Sequence, residues 1–463
     1  MNLAVVGRLC PLPASLSPLS GDCAAVIHLR RCLLTGFAVV LVFEFGVLAS
    51  ARADIQVGAA KRVITPNPLL PVSGGIGRPH PVHEKRGDLM TRAVVLQKGD
   101  VTVGIVSVDN LGFPRVLGDR VRERVSRIPA QNILIGSTHT HSAPDCYGFP
   151  DAKGGHTGDL HYMEFVCDKA AEALNDALDH LTPCRLKIAT GEAKGKIAYN
   201  YYAPQLYDKR MSVIQAQSAD GKNVVTLVNY AIHPEVLGNE VGILSPDLIG
   251  PLCDKLEQDA GGMAIFMNGA QGGMITADNR LLDKPRSLLE GVWNDSRTWD
   301  ECLRIGHLMA DEAQRIVKTA PVQENPQLVC DSMNVDFPVD NPLMWAITAG
   351  SPLKYPHNDA NHSVPCRLNL INLGNAQIVT IPGEALPNIG FYLKRKMRGE
   401  HNLLFGLTND AFGYILTKVD FHSFPRYDYV SRTSLGENTG EILIDNILKL
   451  VTKNAPPEHI ATK

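Results

Sequence analysis

The sequence predicts an α/β protein of layered mixed sheets flanked by helices, and two features of the chain lead there. Short apolar runs recur, each closing on a polar residue: residues 102–108 lead to Asp109, 133–135 to His139, 223–232 to His233, 263–267 to Asn268, 378–381 to Glu384, and 403–407 to Asn409 and Asp410. Between them lie stretches of helical period. In residues 296–319, Cys302, Ile305, Met309, Ala313 and Ile316 fall on one face. Strand-length runs alternating with amphipathic helices segregate into layers around shared cores. Ligands in such folds sit beyond the carboxyl ends of strands, where residues distant in sequence meet.

Taken in order, the chain begins with a segment that reads as a targeting signal. Arg30 and Arg31 precede an apolar run over residues 32–48, which closes on Ala51-Arg52-Ala53, a small-x-small pattern of the kind cleaved after export. Residues 1–53 are therefore expected to be a signal peptide with a long leading segment, and residues 54–463 one large domain. A periplasmic or secreted protein follows. Glu44 and the small-residue site argue against a permanent span, and an uncleaved segment would leave a membrane anchor. No repeat or low-complexity linker divides residues 54–463.

Charged residues make up 20% of the chain and the net charge is −3, which disfavours nucleic acid or an anionic membrane surface as partner. The cysteines after Ala53 (Cys146, Cys167, Cys184, Cys253, Cys302, Cys330, Cys366) are scattered and contain no CxxC pair. They argue against a disulfide scaffold and a thiolate zinc cluster, with one disulfide left open.

The segment Asn132 to Asp145 carries the densest chemistry. A buried strand is expected over residues 132–136, followed by Thr138-His-Thr-His-Ser142 where the strand leaves its sheet. If the backbone there stays extended, the rings of His139 and His141 point to the same side. One could then bind a metal while the other faces water or substrate; a pair of loop histidines is the other reading. Four strand ends carry donors suited to zinc: His139, His233, Glu384 and the later Tyr414. A tyrosine would bind as phenolate only because a dication stabilises that form. No compact HExxH or CxxC motif joins the four, so spacing alone leaves them open.

On these and further patches the chain resembles the neutral, non-lysosomal ceramidases. The similarity runs from Val57-Gly-Ala-Ala-Lys-Arg-Val-Ile-Thr-Pro66 through Gly87-Asp-Leu-Met-Thr-Arg-Ala93 to Ser434. Its most specific parts are Thr138-His-Thr-His-Ser142, Asn229-Tyr-Ala-Ile-His-Pro234, Asn268-Gly-Ala-Gln-Gly272, Pro382-Gly-Glu384 and Gly413-Tyr-Ile-Leu-Thr417. The resemblance implies one zinc ion held by His139, His233, Glu384 and Tyr414, with His141 assisting catalysis, in a single catalytic domain that cleaves an amide or ester bond by metal-activated water. The implied substrate is a small amide, ester or lipid-like molecule.

The resemblance fails at substrate positions. Where the family has an arginine in an N-R-S patch, Ala198-Tyr-Asn-Tyr-Tyr202 has Tyr201, and where it has G-D-V-S this chain has Gly272-Gly-Met-Ile275. The family's C-terminal immunoglobulin-like domain has no counterpart before the chain ends after the helix-like residues 440–453. An amide or ester other than an ordinary ceramide is the expected substrate.

Asn268 and Gly269 are candidate oxyanion donors or parts of a tight turn, and Tyr201 and Tyr202 are candidate pocket residues or packing. Asp247 reads as a helix cap. No GxSxG elbow supports a serine hydrolase. A metal-dependent phosphoesterase, or a noncatalytic binding protein on the same fold, remains an alternative.

Overall fold

A computed structural model describes residues 54–287 and 292–460; the expected signal peptide lies outside them. The larger sheet has the strand order Met263–Asn268, Asn223–Tyr230, Arg210–Ser218, Thr182–Glu192, Gln56–Val63, Met90–Lys98, Val101–Val108, Ile133–Ser137. Its middle is antiparallel, and the pairs at its two ends are parallel. A second sheet runs Leu328–Pro338, Ser363–Leu373, Ala376–Thr380, His401–Phe405, and its last pair is also parallel. Parallel neighbours need a crossover. The three are supplied by the helices Arg115–Glu123, Ile249–Ala260 and Pro387–Lys396.

Alternation along the strands sets the layers. In Met263–Asn268, Ala264 and Phe266 face a core shared with Leu252, Cys302, Ile305 and Met309 of the helices. The intervening Met263, Ile265 and Met267 face a core shared with Ile371, Ile378, Leu403 and Phe405 of the second sheet. A third core packs Leu160–Asp179 on the other half of the larger sheet, and a fourth packs Pro387–Lys396 and Thr439–Lys453 on the second. The expected layered mixed-sheet architecture is therefore present as helix, sheet, sheet, helix. The helix anticipated over residues 296–319 runs Trp299–Lys318, with the Thr298 side chain accepting from the Glu301 amide, and its five expected apolar residues are buried.

One expectation changes. Asp247 does not cap the following helix: the N-cap is Leu248, and Asp247 instead accepts from the Leu248 and Leu237 amides, tying the segment after His233 to the helix start. The seven described cysteines are all free. Among the described residues no helix is long and apolar enough to cross a membrane.

Candidate metal and catalytic site

The three parallel pairs send their carboxyl ends to one place. Ile133–Ser137 leads into His139 and His141, Asn223–Tyr230 into His233, and Ala376–Thr380 into Glu384. The two sheets are tied together there: the Ser137 amide donates to the Leu407 carbonyl and the Asn409 amide to the Ile135 carbonyl.

The rings of His139 and His141 do converge, but not along an extended strand. The Thr138 and His139 amides donate to the Val108 and Asn110 carbonyls, drawing the segment out of the sheet, and His139 takes a φ of 74°. Non-glycine residues in that left-handed region are uncommon and gather at functional sites. The turn brings Nε2 of His141 within 3.4 Å of Nε2 of His139.

The tautomers follow from the backbone. Nδ1 of His139 lies 2.6 Å from the Leu111 carbonyl, and Nδ1 of His233 lies 2.9 Å from the Ile275 carbonyl. A carbonyl only accepts, so each Nδ1 carries a hydrogen and each Nε2 of the neutral ring presents a lone pair. Those lone pairs face the same oxygen, Oε2 of Glu384, at 3.4 Å and 3.0 Å. A cation among them resolves the repulsion, and imidazole nitrogen with carboxylate oxygen is a zinc donor set. The residues therefore fit a metal ion. His139, His141 and His233 can also each offer one nitrogen within 4.8 Å of the others, so the geometry presents His141 as a nitrogen donor too.

Burial opposes charge on His233, but the Glu384 carboxylate outweighs it and raises its pKa; burial likewise opposes charge on Glu384, whose pKa the histidines hold low. Tyr414 pairs with Glu384 in adjacent short parallel strands. Its hydroxyl donates to Sδ of Met274 at 3.2 Å, and burial, then the Glu384 charge, keep its pKa well up. Gly272 lets its own turn approach the Glu384 backbone closely, since a Cβ there would lie 2.1 Å from the Glu384 carbonyl oxygen.

Sequence reasoning missed Glu235, whose Oε2 lies 3.6 Å from Nδ1 of His141. Its only signal was adjacency, as the second residue after His233. Burial lowers the His141 pKa to about 3 against the Glu235 charge, so the ring is neutral near pH 7.

The remaining candidates fall elsewhere. Asn268 is buried, with Nδ2 donating to the Thr138 and Ile232 carbonyls and Oδ1 accepting from the Ile232 and Gly269 amides. The Gly269 amide also donates to the Tyr230 carbonyl. Both therefore brace the loops that carry the histidines. Tyr201 is 47% exposed and lines a separate recess; Tyr202 packs between Tyr201 and Tyr427. Ile275 is buried, and its carbonyl serves His233.

An apolar recess opens on the imidazoles, bounded by His139, His141, Glu384 and Tyr414 and walled by Leu111, Phe149, Met344, Ile347, Phe412 and Leu435.

No protein-family model and no curated protein matches the chain. Among solved structures, a neutral ceramidase from Pseudomonas aeruginosa superposes with a TM-score of 0.68 at 17% identity, covering 89% of this chain and 77% of that one. A ceramidase complexed with C2 also gives 0.68, at 16% identity over the same shares. At that TM-score over most of the chain, the conclusion about family is one of architecture: this chain has the neutral ceramidase fold.

Proposed function

We propose that this protein is a zinc-dependent hydrolase that cleaves an amide bond in an acyl-chain substrate. The observation that carries the reading is the pair of Nε2 lone pairs directed at one buried Glu384 oxygen, at the mouth of an apolar recess. His139, His233 and Glu384 would hold the ion, with Tyr414 beside Glu384 as the fourth donor. When bound, zinc supplies Lewis acidity, lowering the pKa of water and polarising a carbonyl.

This chain's own residues supply the rest. The recess binds the acyl tail and excludes water from the imidazoles. His141 takes a proton at Nε2 while Glu235 faces its Nδ1, as a carboxylate does for a general base. Returning that proton to the departing amine nitrogen completes the hydrolysis. The altered position Tyr201, exposed on the neighbouring recess, favours an amide other than ordinary ceramide. Export, read from residues 1–53, belongs to the same proposal; N-terminal sequencing of protein recovered outside the cytoplasm tests it, and a start near Met1 would refute it.

The test of function is metal analysis of purified protein with a panel of long-chain acyl amides, ceramides, esters and phosphate esters. One zinc per chain with turnover of acyl amides is expected. Turnover of phosphate esters alone, or of nothing with zinc bound, would overturn the reading.

A further inference from the structure

A second recess, distinct from the apolar one, is lined by Tyr199, Tyr201 and Trp293 together with Arg286, Arg297 and Arg426. Its aromatic wall is fixed. The Arg280 guanidinium lies 3.8 Å from the Tyr199 ring centre and 5.0 Å from that of Trp293, and is held by both oxygens of Asp278. The three lining arginines differ from Arg280. Among the described residues none makes an ion pair or hydrogen bond, and Asp295 is the one described carboxylate lining the recess with them. Among the described lining residues three guanidinium groups stand against one carboxylate, an excess of positive charge, and arginine is the side chain suited to carboxylate and phosphate.

The recess lies next to the imidazoles through a short antiparallel ribbon. Tyr199 is paired with Thr276, and Thr276 bridges to His233. Two strand spacings, about 10 Å, therefore separate the backbones of His233 and Tyr199. An arginine side chain and a headgroup of a few bonds span that gap together. The segment Pro425–Tyr427 and its continuation joins the two recesses, since Arg426 lines one and Tyr429 the other.

Resting on the hydrolase reading above, we infer that the substrate is an N-acyl amide whose amine portion carries an anionic group, carboxylate or phosphate, held by Arg286, Arg297 and Arg426 while the acyl tail occupies the apolar recess. The uncharged head of a ceramide would leave the positive charge that Asp295 does not balance without a counter-charge.

The experiment compares N-dodecanoyl-L-aspartate, N-dodecanoyl-phosphoethanolamine and the uncharged N-dodecanoyl-ethanolamine on the full chain loaded with zinc, by kcat/KM, and on the same protein by equilibrium binding. At least tenfold preference for an anionic probe is expected. It should fall by tenfold or more in the double variant Arg297→Gln/Arg426→Gln, recover in part in Arg297→Lys/Arg426→Lys, and persist in the distant charge control Lys449→Gln. Preference for the aspartate or the phosphoethanolamine probe identifies the anion, and either supports the inference. Equal kcat/KM for all three probes, or a preference untouched by the double variant, overturns it. If no probe is hydrolysed, the hydrolase reading fails while binding still judges the recess: tighter binding of an anionic probe, lost in the double variant, supports it, and equal binding refutes it.

Discussion

Nε2 of His233 lies 3.0 Å from Oε2 of Glu384 while its Nδ1 is committed to the Ile275 carbonyl. A neutral ring so tethered cannot donate to the carboxylate, so the contact is favourable only with a cation between the pair or a second proton on the ring. Replacing His233 by Asn or Glu384 by Gln should lower zinc affinity by tenfold or more while leaving the far-ultraviolet spectrum unchanged. Zinc should raise the wild-type melting temperature and not that of either variant, because an ion that binds only the folded state stabilises it. Full zinc occupancy in both variants would refute the ligand assignment.

The second prediction concerns Glu235 and His141. His141→Ala should retain zinc and lose about 10²- to 10⁴-fold in kcat, the range for a lost general base. Glu235 raises the His141 pKa against burial, so Glu235→Gln should move the acid limb of the kcat profile to lower pH and weaken the base. A profile that does not move, with kcat reduced, would make Glu235 merely structural.

How much of this was legible in the sequence follows from the kind of interaction involved. The strand ends at Asp109, His139, His233, Asn268 and Glu384 could be read because apolar runs and their polar stops are local. The convergence of His139 and His141 through a φ of 74° could not, since hydrogen bonds to Val108 and Asn110, about thirty residues earlier, impose it. Nor could the burial of every polar group of Asn268, which needs the Thr138 and Ile232 carbonyls already in place. The basic recess was hidden for the same reason: Arg286, Arg297 and Arg426 share no motif and meet only across the ribbon.

The third prediction tests a buried ion pair outside the site. Nζ of Lys394 lies 2.8 Å from Oδ2 of Asp208, which Arg210 also holds at Oδ1 and Oδ2. Burial opposes charge on Asp208, yet its two cations bring its pKa down to about 2. Removing one partner leaves a buried charge short of compensation, so Lys394→Met should cost about 3 kcal/mol. The double variant Asp208→Asn/Lys394→Met should cost less than the single one. Urea unfolding measures both, and a double variant less stable than Lys394→Met would show that the coupling is absent.

The last prediction is a pH dependence of stability from Asp410. Its Oδ1 accepts from the Tyr355 hydroxyl and from the Arg115 and Ala411 amides, whereas Oδ2 is buried without a partner. Burial disfavours the carboxylate and raises its pKa from 3.8 to about 6. Between those two values the folded chain holds a proton that the unfolded chain has released. Stability from this group is therefore fully present below about pH 4 and is lost as pH rises through about 6. The whole shift is worth on the order of 3 kcal/mol. Asn at this position keeps an acceptor for Tyr355 and the two amides and does not titrate. Asp410→Asn should thus gain on the wild type steadily from pH 4 to pH 7, with the gap constant above that. Asp109 and Asp247, also raised to about 6 by burial, titrate alike in both proteins and cancel in the comparison. Urea unfolding at unit pH steps reads the gap directly. A difference between the two proteins that does not change from pH 4 to pH 7 would show that Asp410 is ionised in the fold across that range, its charge compensated despite the bare Oδ2.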